Sequence, residues 1–227
     1  GFGGDRTLWA GLSAGLTRAG RRVLAPDLPG HGETQIDAKA PEALSRGLAD
    51  LMHQTLDVPA HVVAHSMGAV PAVALAEAGA VRSLTLIAPV GVGLRIDDTF
   101  IHGLAGAKTS GEVAHLLQRT IEMPLPLSSD SLDRIAEATN QGRLKDLAAT
   151  LVGASGQSVS LRAPLARLAD SIPIRIVAPH RDRILDWSDM VTVAPRIAVH
   201  HLPRAGHMAM WDAAPELLDI LRDATES

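Results

Sequence analysis

A serine stands at the centre of the segment Ala64-His65-Ser66-Met67-Gly68, whose residue types and spacing could perform nucleophilic chemistry. The segment lies between an apolar run over residues 60–64, which predicts a buried strand, and an alanine-rich run over residues 67–78, which predicts a helix. A serine at such a sharp turn is held in a strained backbone conformation, and its small neighbours let strand and helix approach each other. The pattern predicts Ser66 as a nucleophile. The alternative is that Ser66 only caps the following helix, since serine is a favoured N-cap residue.

A serine hydroxyl becomes a good nucleophile only when a base removes its proton, and His207 is the candidate base. It follows an apolar run over residues 197–202, in a glycine-containing loop before the last helical pattern. The chain has ten histidines, so a packing or surface role is the alternative. The place of His207 in the last loop favours the catalytic interpretation.

A carboxylate must orient the imidazole, and three aspartates follow the apolar run over residues 172–178. Asp182 lies in the loop that leaves this predicted strand. Asp186 and Asp189 flank Trp187 at the predicted start of a helix, where acidic residues serve as caps. Asp182 is therefore the predicted acid, with a surface ion pair to a neighbouring arginine as its alternative role. The chain order serine, aspartate, histidine is that of one class of triad enzyme.

Acyl transfer also needs donors for the negative charge that develops on the carbonyl oxygen. The backbone amide of Met67 opens the helix after the serine, and the glycine-rich segment at residues 1–4 could present the amide of Phe2 from the other side. These two amides are the predicted oxyanion hole. Alternatively, the glycines form only a flexible terminus.

Strand-like and helix-like patterns alternate along the chain. This alternation predicts the α/β class, with a doubly wound, mostly parallel sheet and an active site at the carboxyl ends of the strands. The predicted strands cover residues 22–26, 60–64, 81–88, 172–178 and 197–202, and the predicted helices cover residues 5–16, 41–56, 67–78 and 215–224, with a further helical pattern near Trp187.

One long stretch, residues 97–168, contains several helical patterns and no convincing strand. We interpret it as a helical cap inserted into a core formed by residues 1–96 and 169–227. The chain opens at Gly1 directly into a turn, with no apolar strand before it, so the core is expected to be N-terminally truncated.

The composition narrows the chemistry further. The chain has 227 residues, is 46% hydrophobic, carries a net charge of −4 and has no cysteine. Such a chain offers no disulfide or thiolate site, which favours a cytoplasmic location, and no electrostatic footprint for nucleic acid or a membrane surface. His200 and His201 are adjacent in a predicted strand and so point to opposite faces, while His61 and His65 lack a third ligand at a recognised spacing. No metal and no cofactor are predicted.

Five blocks follow one another along nearly the whole chain. They are Gly1-Phe2-Gly3-Gly4-Asp5 with Trp9, Asp27-Leu28-Pro29-Gly30-His31-Gly32, the segment around Ser66, Ser83-Leu84-Thr85-Leu86-Ile87-Ala88-Pro89 and Gly206-His207-Met208. In this order they resemble the α/β-hydrolase family. The family commonly has glycine where Ala64 stands, and the alanine is expected to crowd the turn without abolishing it. The family also commonly has glycine where Pro179 stands in the acid loop, and only Gly1 remains of the His-Gly pair usual at the oxyanion loop.

Within the family, Val90-Gly91-Val92-Gly93 with Asp97-Asp98 and the helical stretch after them is similar to the hydrolase-like C-terminal domain of acetoin dehydrogenase dihydrolipoamide acetyltransferase components. This resemblance implies a lipoyl domain upstream of Gly1 as a partner, and work on a lipoyl or related acyl thioester.

Three functions follow from these observations. The leading one is hydrolysis of a small ester or thioester through a Ser66 acyl-enzyme, in a pocket lined by aliphatic side chains, since aromatic residues make up only 2% of the chain. The second is acyl transfer within a 2-oxoacid dehydrogenase complex, where a thiol resolves the same acyl-enzyme. The third is a non-catalytic module that serves packing or partner binding.

Overall fold

The computed structural model describes residues 1–45, 47–56 and 59–226. None of the helices in these ranges is long and apolar enough to cross a lipid bilayer. Short 3₁₀ helices cover Arg6–Trp9, Pro41–Ser45 and Ser66–Gly68. The α-helices are α1 (Ala10–Arg18), α2 (Leu48–Thr55), α3 (Ala69–Glu77), α4 (Asp98–Gly106), α5 (Ser110–Gln118), α6 (Ser129–Asn140), α7 (Lys145–Leu151), α8 (Arg162–Leu168), α9 (Trp187–Met190), α10 (Ala209–Asp212) and α11 (Ala214–Glu226). The strands are β1 (Ala60–His65), β2 (Val81–Ile87), β3 (Val152–Gly153), β4 (Gly156–Gln157), β5 (Ile174–Pro179) and β6 (Ala198–Leu202).

Four strands form a parallel sheet in the order β1-β2-β5-β6. The pairing aligns their carboxyl ends, since His65 lies opposite Ile87, and Ile87 lies opposite Val177. The central strands are buried nearly throughout, except at Arg82 of β2 and Arg175 of β5, as expected of strands that are covered on both faces. The predicted α/β class is confirmed, and the loops that follow β1, β5 and β6 meet at one edge.

Helices cover both faces of the sheet, as the doubly wound prediction requires. On one face, α3 packs against β1 and β2, and α8 packs against α3. On the other face, α1 and α11 pack together over Ile87, Val177 and Leu202. Helix α11 buries Leu217, Leu221 and Ala224, which share one side of the helix because they are spaced four and three residues apart.

The stretch between β2 and β5 is mainly helical. Helix α4 contacts α5, α6 and α7, and its buried Phe100 and Leu104 belong to the same apolar cluster as Leu147 and Leu151 of α7. A hairpin of two short strands, β3 with β4, also lies there and was not predicted by the helical patterns. The division into a core and an inserted cap at residues 97–168 stays a prediction.

One predicted strand is wrong. Residues 21–28 form no strand, and Val23 and Leu24 are 37% and 45% exposed. A strand is stabilised by hydrogen bonds to a neighbouring strand. In the described ranges the four strands of the parallel sheet pair only with one another, with β1 at the edge. An apolar run indicates β-propensity, but it does not supply the partner.

Candidate active site

The chain turns sharply at Ser66. Strand β1 ends at His65, and the 3₁₀ helix Ser66–Gly68 leads directly into α3. Ser66 has φ of 52°, in the left-handed region that residues other than glycine rarely adopt. Its carbonyl oxygen accepts a hydrogen bond from the amide of Val90 at 3.1 Å, which ties the turn to the segment after β2. This strained conformation is what the sequence predicts for a nucleophile at such a turn.

Ala64 fits beside the turn without crowding it. A Cβ placed on Gly68 would lie 3.8 Å from the Cβ of Ala64, which is an ordinary van der Waals distance. The expected crowding is therefore wrong, because the space between strand and helix admits a methyl group at position 64.

Ser66, His207 and Asp182 come together in a chain of hydrogen bonds. His207 Nε2 lies 3.0 Å from Ser66 Oγ, and His207 Nδ1 lies 2.8 Å from Asp182 Oδ2. The residues are buried, with exposed fractions of 5% for Ser66, 3% for His207 and 7% for Asp182. The serine hydroxyl thus contacts the imidazole, which is the arrangement expected of a nucleophile and its base.

The carboxylate of Asp182 is fixed at both oxygens. Its Oδ1 accepts hydrogen bonds from the amides of Ile184 at 2.8 Å and Leu185 at 3.0 Å, which leaves Oδ2 for His207. A carboxylate only accepts hydrogen bonds, so His207 Nδ1 carries the proton and donates it. The lone pair of Nε2 then faces the hydroxyl of Ser66, as a general base requires.

The two alternative acids have other contacts. Asp186 is the N-cap of α9, where its Oδ1 accepts from the amide and the hydroxyl of Ser188. These hydrogen bonds lower the pKa of Asp186. The carboxylate of Asp189 packs against Gly93, since a Cβ placed on that glycine would lie 1.9 Å from Asp189 Oδ2. The predicted capping role of Asp186 is confirmed.

The glycine-rich segment forms a turn that packs against the turn at Ser66. The amide of Gly4 donates to the carbonyl of Gly1 at 3.2 Å, and Gly3 in the third position has φ of 72°, a value that suits glycine. A Cβ placed on Gly1 would lie 3.4 Å from the Cβ of Ser66. These contacts seat the turn beside the serine, unlike a flexible terminus.

The two predicted oxyanion donors directly follow the two residues that make this contact. Met67 directly follows Ser66 and is fully buried, and Phe2 belongs to the glycine-rich turn and is 8% exposed. The ring of Phe2 meets His31 edge-on, with centroids 6.4 Å apart. Their role as oxyanion donors stays a prediction.

Two further histidines are buried, namely His65, which directly precedes Ser66, and His31, whose ring contacts Phe2. His65 Nε2 lies 3.0 Å from the carbonyl oxygen of His207, to which it donates, and the two rings are 4.7 Å apart. Burial holds the pKa of His65 well below its usual value. His31 Nδ1 lies 2.9 Å from the carbonyl oxygen of Pro29, and burial lowers the pKa of His31 to about 4. The sequence pattern indicates His65 only as a possible metal ligand, although its position next to Ser66 is a signal of its place in the site.

The histidine pairs do not form a metal site in the described part of the chain. His61 Nδ1 lies 2.8 Å from Ser83 Oγ, whereas His65 contacts His207. No group of three or more histidine, cysteine, aspartate or glutamate side chains there could hold a metal ion.

Known proteins are similar to this chain over most of its length. It is 32% identical over 234 residues to the dihydrolipoyllysine-residue acetyltransferase component of the acetoin cleaving system of Pseudomonas putida, a match that covers 96% of this chain and 59% of the relative. The component of the same name from Cupriavidus necator is 28% identical over 228 residues, covering 98% of this chain and 61% of the relative. The chain thus spans about three-fifths of each relative's length.

A solved structure and a family profile agree with the fold. The esterase from Exiguobacterium antarcticum superposes with a TM-score of 0.79 at 14% identity, covering 98% of this chain and 88% of that one, a likeness that shows the fold alone. The profile described as "Alpha/beta hydrolase family" matches residues 1–220. The chain therefore belongs to the α/β-hydrolase family.

Proposed function

We propose that the protein hydrolyses a small ester or thioester through an acyl-enzyme on Ser66. The observation that carries this proposal is the continuous chain of contacts from Asp182 through His207 to Ser66 Oγ, at 2.8 Å and 3.0 Å. Ser66 Oγ attacks the carbonyl carbon while His207 Nε2 takes its proton. The tetrahedral intermediate then collapses, and the departing alcohol or thiol takes that proton from His207. Water, activated by the same imidazole, releases the acid.

The oxyanion of each tetrahedral intermediate needs hydrogen-bond donors. We assign this role to the backbone amides of Phe2 and Met67. The turn at residues 1–4 supports the assignment, because it brings Gly1 against Ser66. Loss of one such donor typically slows the reaction by about 100-fold or more.

The helical stretch borders the proposed site. A Cβ placed on Gly3 would lie 2.6 Å from Leu104 of α4 and 3.7 Å from Leu144, which precedes α7. The proposed cap therefore contacts the turn at residues 1–4 through aliphatic side chains. Such a surface suits an apolar acyl group.

A substrate panel with Ser66→Ala tests the proposal. The panel contains para-nitrophenyl acetate and butyrate, acetyl-dihydrolipoamide and acetyl-CoA, and labelling by a fluorophosphonate probe is measured in parallel. Ser66-dependent turnover and labelling are expected, because the probe phosphonylates an activated serine. Absence of both would mean that the protein is a non-catalytic module.

The names of the two curated relatives favour a second candidate, acyl transfer in an acetoin-cleaving complex. Here the thiol of a dihydrolipoyl group on a lipoyl-domain partner replaces water in the second step. The two activities separate when acetyl-dihydrolipoamide is supplied with and without a competing thiol acceptor. Acyl transfer predicts a new thioester in preference to free acetate, whereas hydrolysis predicts acetate in both cases.

A further inference from the structure

A short segment after α5, residues 120–123, contacts both of the loops that carry His207 and Asp182. Thr120 and Ile121 are buried, with exposed fractions of 1% and 2%. The segment lies in the helical stretch of the chain, far in sequence from either loop. We call it the 120–123 segment.

Hydrogen bonds join this segment to the histidine loop and to Asp212, which follows that loop. The carbonyl of Thr120 accepts from the amide of Met208 at 3.1 Å. The carboxylate of Asp212 accepts from the amide of Gly206 at 2.8 Å and from the amides of Glu122 and Met123 at 3.0 Å and 3.1 Å. The residues on either side of His207 are thus both held by the segment, one directly and the other through Asp212.

Gly206 shows how close this contact is. A Cβ placed on it would lie 2.6 Å from the carbonyl oxygen of Thr120 and 3.1 Å from Asp212 Oδ2. Any side chain at position 206 would push the histidine loop away from the segment. Close approach of the backbone, which only glycine allows, is therefore part of this arrangement.

The segment reaches the acid loop through Glu122. One carboxylate oxygen of Glu122 lies 2.9 Å from Arg181 Nη1, and the other lies 2.8 Å from Arg183 Nη2. These arginines stand on either side of Asp182. Their side chains are 55% and 57% exposed and the Glu122 side chain is 20% exposed, so each pair alone contributes little to stability. Together, the two ion pairs instead hold the position of the acid loop, in which Asp182 stands between the two arginines.

We propose that Asp212 and Glu122 are positioning residues, which hold His207 and Asp182 in register through the residues that flank them. The inference rests on the proposed function of the Ser66 site. It predicts that the arrangement of the acid–base pair depends on a segment of the helical stretch. A misplacement of about 1 Å in a reacting group can cost about 100-fold in rate, so a small shift of either loop is sufficient.

Asp212→Asn is the main test. The amide keeps the size of the carboxylate, but its NH₂ group must face either the amide of Gly206 or the amides of Glu122 and Met123, so one side of the bridge loses its acceptor. Glu112→Gln is the matched control. Glu112 also accepts two backbone amides, from Lys108 and Thr109, at the beginning of α5 and outside the bridge.

Two readouts separate positioning from stability. The first is the second-order rate constant of fluorophosphonate labelling, normalised to the concentration of folded protein. The second is the downfield proton NMR signal of His207 Nδ1–H, which reports the bond to Asp182 without any turnover. Asp212→Asn is expected to slow labelling by about 10- to 100-fold and to weaken or shift the signal, whereas Glu112→Gln stays within about twofold of wild type.

Labelling of Asp212→Asn within about twofold of wild type, or an equal loss in Glu112→Gln, would overturn the inference. If Asp212→Asn does not fold, Glu122→Gln takes its place, with an expected loss of about threefold or more because its partners are exposed. Wild type that shows the NMR signal without labelling would refute the proposed serine chemistry. The signal in the variants would still test the positioning role.

Discussion

Ser66 and His207 lie 141 positions apart in the sequence, yet Ser66 Oγ and His207 Nε2 are 3.0 Å apart. The contact depends on a serine at φ of 52°, at the end of β1, and on a loop that follows β6. Because both strands are parallel members of one sheet, their carboxyl ends face the same edge. The alignment of the strands therefore positions the proposed nucleophile and its proposed base.

Asp182→Asn is expected to lower kcat by about 10,000-fold and to leave the fold intact. The amides of Ile184 and Leu185 donate to Oδ1, so the oxygen of the new amide takes that place and its NH₂ faces His207 Nδ1. Nδ1 must then accept, which moves the imidazole proton to Nε2, where it blocks deprotonation of Ser66. Ester turnover and circular dichroism of the purified variant check both parts.

Asp186→Asn is the control for this experiment. It changes a carboxylate four positions along the same loop, one that contacts Ser188 and not His207. Turnover within a few-fold of wild type is expected. A larger loss in Asp186→Asn than in Asp182→Asn would assign the acid to Asp186.

Gly3→Ala is expected to slow Ser66 acylation by about 100-fold, because it should displace the turn that presents the Phe2 amide. Gly3 has φ of 72°, and an added Cβ would lie 2.6 Å from Leu104. Stopped-flow measurement of the acylation burst with para-nitrophenyl acetate gives the rate.

Gly20→Ala is the matched control for Gly3→Ala. Gly20 has nearly the same φ, 79°, but an added Cβ there has nothing within 4 Å. Both variants place alanine at a positive φ, which reduces stability by about 1–2 kcal/mol, but only Gly3→Ala disturbs the site. Equal acylation rates in the two variants would rule out the Phe2 amide as a donor.

The proximity of Ser66, Asp182 and His207 could be predicted from the sequence, because each residue follows an apolar run that forms a strand of one parallel sheet. Such runs carry a local signal that single residues do not. The catalytic roles of the three residues still depend on the proposed chemistry. The role of His65 was not predicted, since its bond goes to a backbone carbonyl, and backbone groups have no signature in the sequence.

Two other features lay beyond sequence reasoning for different physical reasons. Residues 22–26 have the composition of a strand, but strand formation depends on a neighbour that the run itself does not specify. The contacts of Glu122 with Arg181 and of its amide with Asp212 span 59 and 90 positions. Nothing in the spacing of these residues links them, because the fold alone determines which loops meet.

Stability is expected to fall as the pH drops from about 6.5 towards 4, in part because of His31. Burial lowers the pKa of His31 to about 4 in the folded protein, while an unfolded histidine has its usual pKa near 6.5. Between these values the unfolded chain binds more protons than the folded one, so protonation favours unfolding. Well above pH 6.5 the histidine is neutral in both states and does not change the free energy of unfolding. At pH 5 it lowers the free energy of unfolding by about 2 kcal/mol.

Urea unfolding at pH 7.5 and pH 5.0 measures this loss for wild type, His31→Gln and His115→Gln. The free energy of unfolding should depend less on pH in His31→Gln than in wild type. His115 is exposed, so His115→Gln should keep the wild-type dependence. An unchanged dependence in His31→Gln would show that other groups, such as buried His65, cause the loss.

Ala64→Gly, which restores the residue usual at this position in the family, is expected to reduce stability without raising activity. The methyl group of Ala64 has ordinary van der Waals space beside Gly68, so its removal relieves no strain at Ser66. Glycine in a strand loses more conformational entropy on folding, which costs about 0.5–1 kcal/mol. Thermal unfolding should show a lower Tm, while fluorophosphonate labelling of Ser66 keeps its wild-type rate. A clear rise in that rate would mean that Ala64 does crowd the turn, and that the nucleophile is held back by its own strand.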